Sequence, residues 1–113
     1  MYTGVKILAA VAVLTSTVVA NSGNMTWFYP GLGACGWWSN DGQAVVALNP
    51  WDWAGGSHCG QWITIWGNGR TTAGLVVDLC PGCRYGGVDA SPAIFDDIIS
   101  LDVGYTFVDW AFQ

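Results

Sequence analysis

The sequence predicts a small, mainly β domain, a closed barrel of short strands with one short helix. Three observations carry the prediction. Short apolar runs are separated by glycine, proline, asparagine and aspartate turns. One segment alone, Pro92 to Ser100, has helical spacing. Four cysteines in a short chain supply the cross-links that a small exported domain uses.

Residues 1–20 are expected to be a signal peptide. Lys6 gives the one positive charge, Ile7 to Ala20 is apolar or small throughout, and Val18-Val19-Ala20 suits cleavage after Ala20. The alternative is an N-terminal membrane anchor, but the run is shorter than the ~20 residues a span needs. Residues 21–113 then form a single domain, secreted and extracellular. Asn24-Met25-Thr26 is a glycosylation sequon.

Strands are predicted at Thr26-Trp27-Phe28-Tyr29, Ala44–Leu48, Gln61–Trp66, Arg70–Asp78 and Tyr105–Phe112. Asn21-Ser22-Gly23 reads as a flexible lead and Asn49–His58 as a loop with aromatic tips. Asn68-Gly69 joins two strands, and both residues tolerate the positive φ of a type I′ hairpin turn. Ser91 and Pro92 suit the N-cap and first turn of the helix. Ile94, Phe95, Ile98 and Ile99 share its inner face, with Asp96 and Asp97 outward. A closed barrel hides its strand edges, which suits a monomer.

Charge excludes some partners. The chain has eight acidic residues, all aspartate, against Lys6, Arg70 and Arg84, for a net charge of −5. Nucleic acid and anionic membranes both demand basic surface. The eight tryptophans are the stronger sign, since a small core does not hide so many large rings. Trp27 and Trp110 alternate into the core, and Trp62 and Trp66 share a strand face that is either core or surface. Trp37, Trp38, Trp51 and Trp53 lie in loops, where flat exposed rings suit stacking on a sugar. The alternative for them is covering the barrel ends.

The cysteines Cys35, Cys59, Cys80 and Cys83 allow three pairings, of which Cys35 with Cys59 and Cys80 with Cys83 is the one expected. Zinc is disfavoured by the spacing and the single histidine, His58. Cys80-Pro81-Gly82-Cys83 does not open a helix as a redox motif would. No metal and no cofactor are expected. The chemistry concentrates on Asp78, ending an apolar strand, and Asp89, just ahead of the helix. Each has a plainer reading as a turn or cap hydrogen-bond acceptor.

In order, Thr26-Trp27-Phe28-Tyr29, Gly33-Ala34-Cys35-Gly36, Val46-Ala47-Leu48-Asn49, Cys59-Gly60, Val77–Cys83 and Val88–Phe95 resemble the double-psi β-barrel proteins. These include the expansin N-terminal domain, the rare-lipoprotein-A-like domain and, most closely, the small fungal loosenins. The resemblance implies a six-stranded double-psi barrel whose open groove binds cell-wall polysaccharide of cellulose or chitin type. By motif, Asp89 matches the acid of the related endoglucanases, Asp78 the aspartate ending the preceding strand, and Thr26 the groove threonine. Phe28 stands where expansins have a tyrosine, and Tyr29 is the nearby hydroxyl. The sheet-like second domain of expansins is not expected here, and the transglycosylase histidine falls at Asn49.

The reading is a protein that binds and loosens wall polysaccharide without hydrolysis. Asp89 and Asp78 sit at its centre, Thr26, Phe28, Tyr29, Trp37, Trp38, Trp51, Trp53 and Arg84 in its groove. Hydrolysis would need a second carboxyl ~5–5.5 or ~6.5–9.5 Å from the acid, and Asp41 and Asp52 are the loop candidates. The alternatives are a weak endoglucanase or lytic transglycosylase with Asp89 as acid, and an effector or protease-inhibitor-like binder of protein.

Overall fold

The computed structural model describes residues 20–113, so the expected signal peptide lies, but for Ala20, outside the described residues. The strands are β1 (Asn21–Trp27), β2 (Val45–Leu48), β3 (Trp62–Gly67), β4 (Arg70–Leu79), β5 (Val88–Ala90) and β6 (Tyr105–Phe112). They close into a barrel in the order β1-β5-β2-β4-β3-β6. The β1–β5 and β2–β4 pairs are parallel and the other four antiparallel.

Strict alternation explains the wall. Ile63 and Ile65 of β3, Val88 and Ala90 of β5, and Val108 and Trp110 of β6 point inward and are fully or almost fully buried. Met25, Val46, Leu48 and Val76 complete the inner layer. Trp62 and Trp66 therefore face outward and are exposed. Trp110 is core, its indole N–H donating to the Gly86 carbonyl at 2.8 Å. Trp27 is half-buried against the core and donates to the Leu101 carbonyl.

Among the described residues two α-helices are present where one helix was expected. The expected one, α2 (Pro92–Ile98), inserts Ile94, Phe95 and Ile98 into the core. Ser91 stands at its N-cap position, but the buried hydroxyl accepts from the Val45 amide rather than capping the helix. The second, α1 (Pro50–Trp53), lies in the segment read as a loop. Its cause is Asn49, whose side-chain oxygen accepts from the Trp51 and Asp52 amides. The side-chain amide of Asn49 donates to Asp52 and to the Gly87 carbonyl, so this fully buried residue is satisfied on every side.

Strand β1 also differs from expectation. It begins at Asn21, so the lead read as flexible is strand, and it ends at Trp27, before Phe28 and Tyr29. Pairing with β6 from Asn21↔Trp110 onward holds the lead in place. Gly23 permits it, because a side chain there would collide with the Gly86 backbone. The Asn68-Gly69 turn has positive φ at both residues, as the type I′ geometry requires.

The disulfides join Cys35 to Cys59 and Cys80 to Cys83. The first closes a long loop and is worth about 3 kcal/mol in the chain-entropy account. Gly86 has φ +80° and faces the Ser22 carbonyl where a Cβ would stand. Gly86→Ala should therefore cost about 2–3 kcal/mol in urea unfolding. Gly31→Ala, with open space around it, should stay within about 0.5 kcal/mol.

Candidate functional site

The site is a row of side chains laid across neighbouring strands. Thr26 of β1 pairs with Asp89 of β5, Asp89 pairs with Ala47 of β2, and Ala47 pairs with Asp78 of β4. Laterally paired residues share a face, and here it is the outer one, because their neighbours Met25, Val88, Val46 and Leu48 fill the core.

Asp78 reaches that face through an irregularity. Val46 pairs with Val76, yet Ala47 pairs with Asp78, so Val77 is an extra residue in β4. Without this β-bulge, Asp78 would lie opposite the core residue Leu48 and point inward. The bulge carbonyl of Val77 accepts from the Cys35 amide at 3.1 Å. Gly33 lets the loop lie that close, since a side chain there would strike the same carbonyl. Asp78 Oδ1 accepts from the Ala34 amide at 2.7 Å and from the Leu79 amide at 2.8 Å.

Asp89 is half-buried, and its Oδ1 accepts from the Thr26 hydroxyl at 2.9 Å. Burial pushes the Asp89 carboxyl above the usual aspartate range. The Thr26 bond opposes that and the neighbouring Asp78 charge adds to it.

Each end of the row opens on a cleft. At the Thr26 end lies one of about 470 Å³, lined by Ser22, Asn24, Arg84, Tyr85 and Phe107 among others, with the Cys80–Cys83 loop on its wall. Trp51, exposed at the end of the barrel, sets its ring edge-on to Tyr85 with centroids 5.8 Å apart. At the Asp78 end, Val77 helps line a second cleft of about 300 Å³, walled by Trp37, Trp38 and Trp62. Trp37 and Trp38 stand on a small hairpin. The Gly33 amide donates to Trp37, the Ser39 amide donates to Gly31, and the Cys35–Cys59 bridge anchors the tip.

The structure thus brings together Thr26, Asp89, Asp78, Trp37, Trp38, Trp51 and Arg84. Tyr29 is exposed and stacks edge-on against Trp27, while Phe28 is half-buried and its amide donates to Ala90 at the end of β5. Trp53 is half-buried and packs against the core. Asp52 is tied to Asn49, and Asp41 is exposed in the turn before β2, its carbonyl accepting from Ala93. Two ring positions escape the sequence reading, while Trp62, read as either core or surface, is exposed. Phe107 could have been found from alternation with Val108; Tyr85 gives no such signal. Among the described residues no cluster of three or more His, Cys, Asp or Glu is placed to hold a metal. No helix among them is long and apolar enough to cross a membrane.

No family model matches the sequence. An EG45-like domain containing protein of Citrus jambhiri is 27% identical over 122 residues, covering 92% of this chain and 93% of that protein. Among solved structures, an expansin of Clavibacter michiganensis, a point mutant in complex with cellohexaose, superposes with a TM-score of 0.78 at 20% identity. The match covers 84% of this chain but 50% of the expansin, so the chain spans about half of that protein. The Streptomyces papain inhibitor superposes with a TM-score of 0.76 at 31% identity, covering 83% of this chain and 94% of the inhibitor.

The raised Asp89 pKa has a consequence for stability. The folded state holds this proton more tightly than the unfolded chain. Its contribution is therefore most favourable below the usual aspartate pKa and declines as pH rises through the raised value. Asp89→Asn should remove that decline. The melting temperature of the wild type relative to the variant should fall as pH rises from the usual aspartate range.

Proposed function

We propose that this chain, a member of the expansin-like, rare-lipoprotein-A-like double-psi β-barrel family, is an extracellular protein that binds wall polysaccharide and loosens it without cleaving it. The observation that carries the reading is the Thr26–Asp89–Ala47–Asp78 row with aromatic clefts at both ends. An extended β-linked glucan laid along it meets flat rings at each end and hydrogen-bonding carboxylates in the middle. Stacking against Trp37, Trp38 and Tyr85 suits the apolar faces of its sugars. Asp89, Asp78 and Thr26 take the hydroxyls at its edges, and Arg84 donates from the rim. The expansin with cellohexaose supports the substrate class.

The spacing supports binding over the retaining route of hydrolysis. Asp89 and Asp78 are two strands apart, roughly 10 Å between Cα atoms at the usual strand spacing. Retention needs carboxyl groups ~5–5.5 Å apart. Asp78 is further committed to holding the Gly33–Cys35 loop. Asn49, at the transglycosylase histidine position, is buried and saturated by its cap. Asp89 Oδ1 is already engaged by the Thr26 hydroxyl, which suits a binding role. Secretion, the signal peptide and a monomeric state belong to this same proposal.

The papain inhibitor favours a second reading, a binder of protein. The disulfide-anchored hairpin Gly31–Ser39, with Leu32, Trp37 and Trp38 exposed, is the surface it would use.

Pull-down on insoluble cellulose and chitin separates the readings. Wild type should bind one of them and release no reducing ends. Asp89→Ala should weaken binding about tenfold, or about 1.4 kcal/mol. Trp38→Ala should cost about 1 kcal/mol, roughly fivefold. A soluble complex with a papain-type protease, with no retention on either polysaccharide, would replace the first reading by the second.

A further inference from the structure

The sequon Asn24-Met25-Thr26 runs into the site. Its threonine is the residue that holds Asp89. Its asparagine lies two residues earlier on the same strand, hence on the same outer face, and is exposed. Asn24 lines the larger cleft with Arg84, Tyr85 and Phe107. Phe107 is its cross-strand partner, which puts the two Cβ atoms ~5 Å apart. The cleft is of the size that small-ligand sites take, ~300–1,000 Å³.

We propose that Asn24 is N-glycosylated and that its oligosaccharide lies over the Tyr85–Phe107 cleft, covering one end of the row. In the transfer, the Asn24 side-chain nitrogen forms a bond to the anomeric carbon of a lipid-diphosphate-linked oligosaccharide. The bond from that carbon to the diphosphate oxygen breaks, the lipid diphosphate leaves, and the amide nitrogen loses one proton. No oxidation or reduction is involved. The first sugar emerges beside the Phe107 ring, and Tyr85 lines the opposite wall.

Topology leaves the acceptor open at the required time. In the folded barrel the Thr26 hydroxyl is engaged by Asp89, so transfer must precede closure. Among the described residues the only partners of β1 are β5 and β6, the last two strands made. Through synthesis from the N-terminus, β1 has no strand to pair with until Val88 has emerged. Asn24 and Thr26 therefore stay extended and unpaired while nearly all of the domain is being made.

The regulatory consequence rests on the polysaccharide reading, and the test separates the two. The full chain is expressed through a eukaryotic secretory pathway and its mass measured before and after treatment with a peptide amidase that removes N-glycans. Nitration of Tyr85 by tetranitromethane is followed in both forms with Tyr29 as internal reference, and both are applied to cellulose and chitin. An oligosaccharide mapped to Asn24, Tyr85 nitration at least fivefold slower before treatment, and tighter polysaccharide retention afterwards are expected. An unmodified Asn24 overturns the proposal, whether through lack of export or of transfer. So does equal Tyr85 nitration in the two forms, or retention of both forms to the same measurable extent. If Tyr85 is shielded but neither form is retained, the glycan placement stands and the polysaccharide reading falls.

Discussion

The structure depends on one extra residue. Val77 interrupts the pairing of β4 with β2, and everything beyond it in β4 changes face. Before the bulge Val76 packs in the core; after it Asp78 stands on the outside in line with Asp89 and Thr26. The carbonyl that the bulge frees is taken up by the Cys35 amide, and the carboxylate it turns outward is met by Ala34. The loop that carries Trp37 and Trp38 is thus docked by the same irregularity that presents the aspartate.

Much of this was legible in the residues and some was not. The hairpin at Asn68-Gly69, the helix after Ser91 and the last strand all follow from local chemistry, while the cysteine pairing was one of three the sequence allowed. The apolar alternation of Ile63 and Ile65 decides the outward placement of Trp62 and Trp66 once the barrel is known to have one filled side. The lead Asn21-Ser22-Gly23 reads as flexible because its strand character is imposed by a partner at the far end of the chain. The helix after Asn49 was hidden by the tryptophans and glycines around it, although Asn followed by Pro at the first position is a start signal.

At the site, motif order picks out Thr26, Asp89 and Asp78, which stand in one row because β5 pairs with β1 and β2 lies between β5 and β4. The bulge itself has no signature in Leu75-Val76-Val77-Asp78, where every residue before the aspartate is equally apolar. The role of Tyr85 is set by Trp51 across a loop-to-helix contact that spacing does not reveal. Asp89 shows a conflict resolved in favour of the site. Burial raises the free energy of its charged form, and the Thr26 hydroxyl offsets that in part.

The two disulfides divide the labour between frame and grip. One fastens the hairpin of Trp37 and Trp38 and the other the loop before Tyr85, each at its own end of the row. The rings are accordingly tethered by covalent staples rather than by core packing. Cys35 is held both by its bridge and, through its amide, by the Val77 carbonyl, so a change at either is felt at the Trp37 and Trp38 rings.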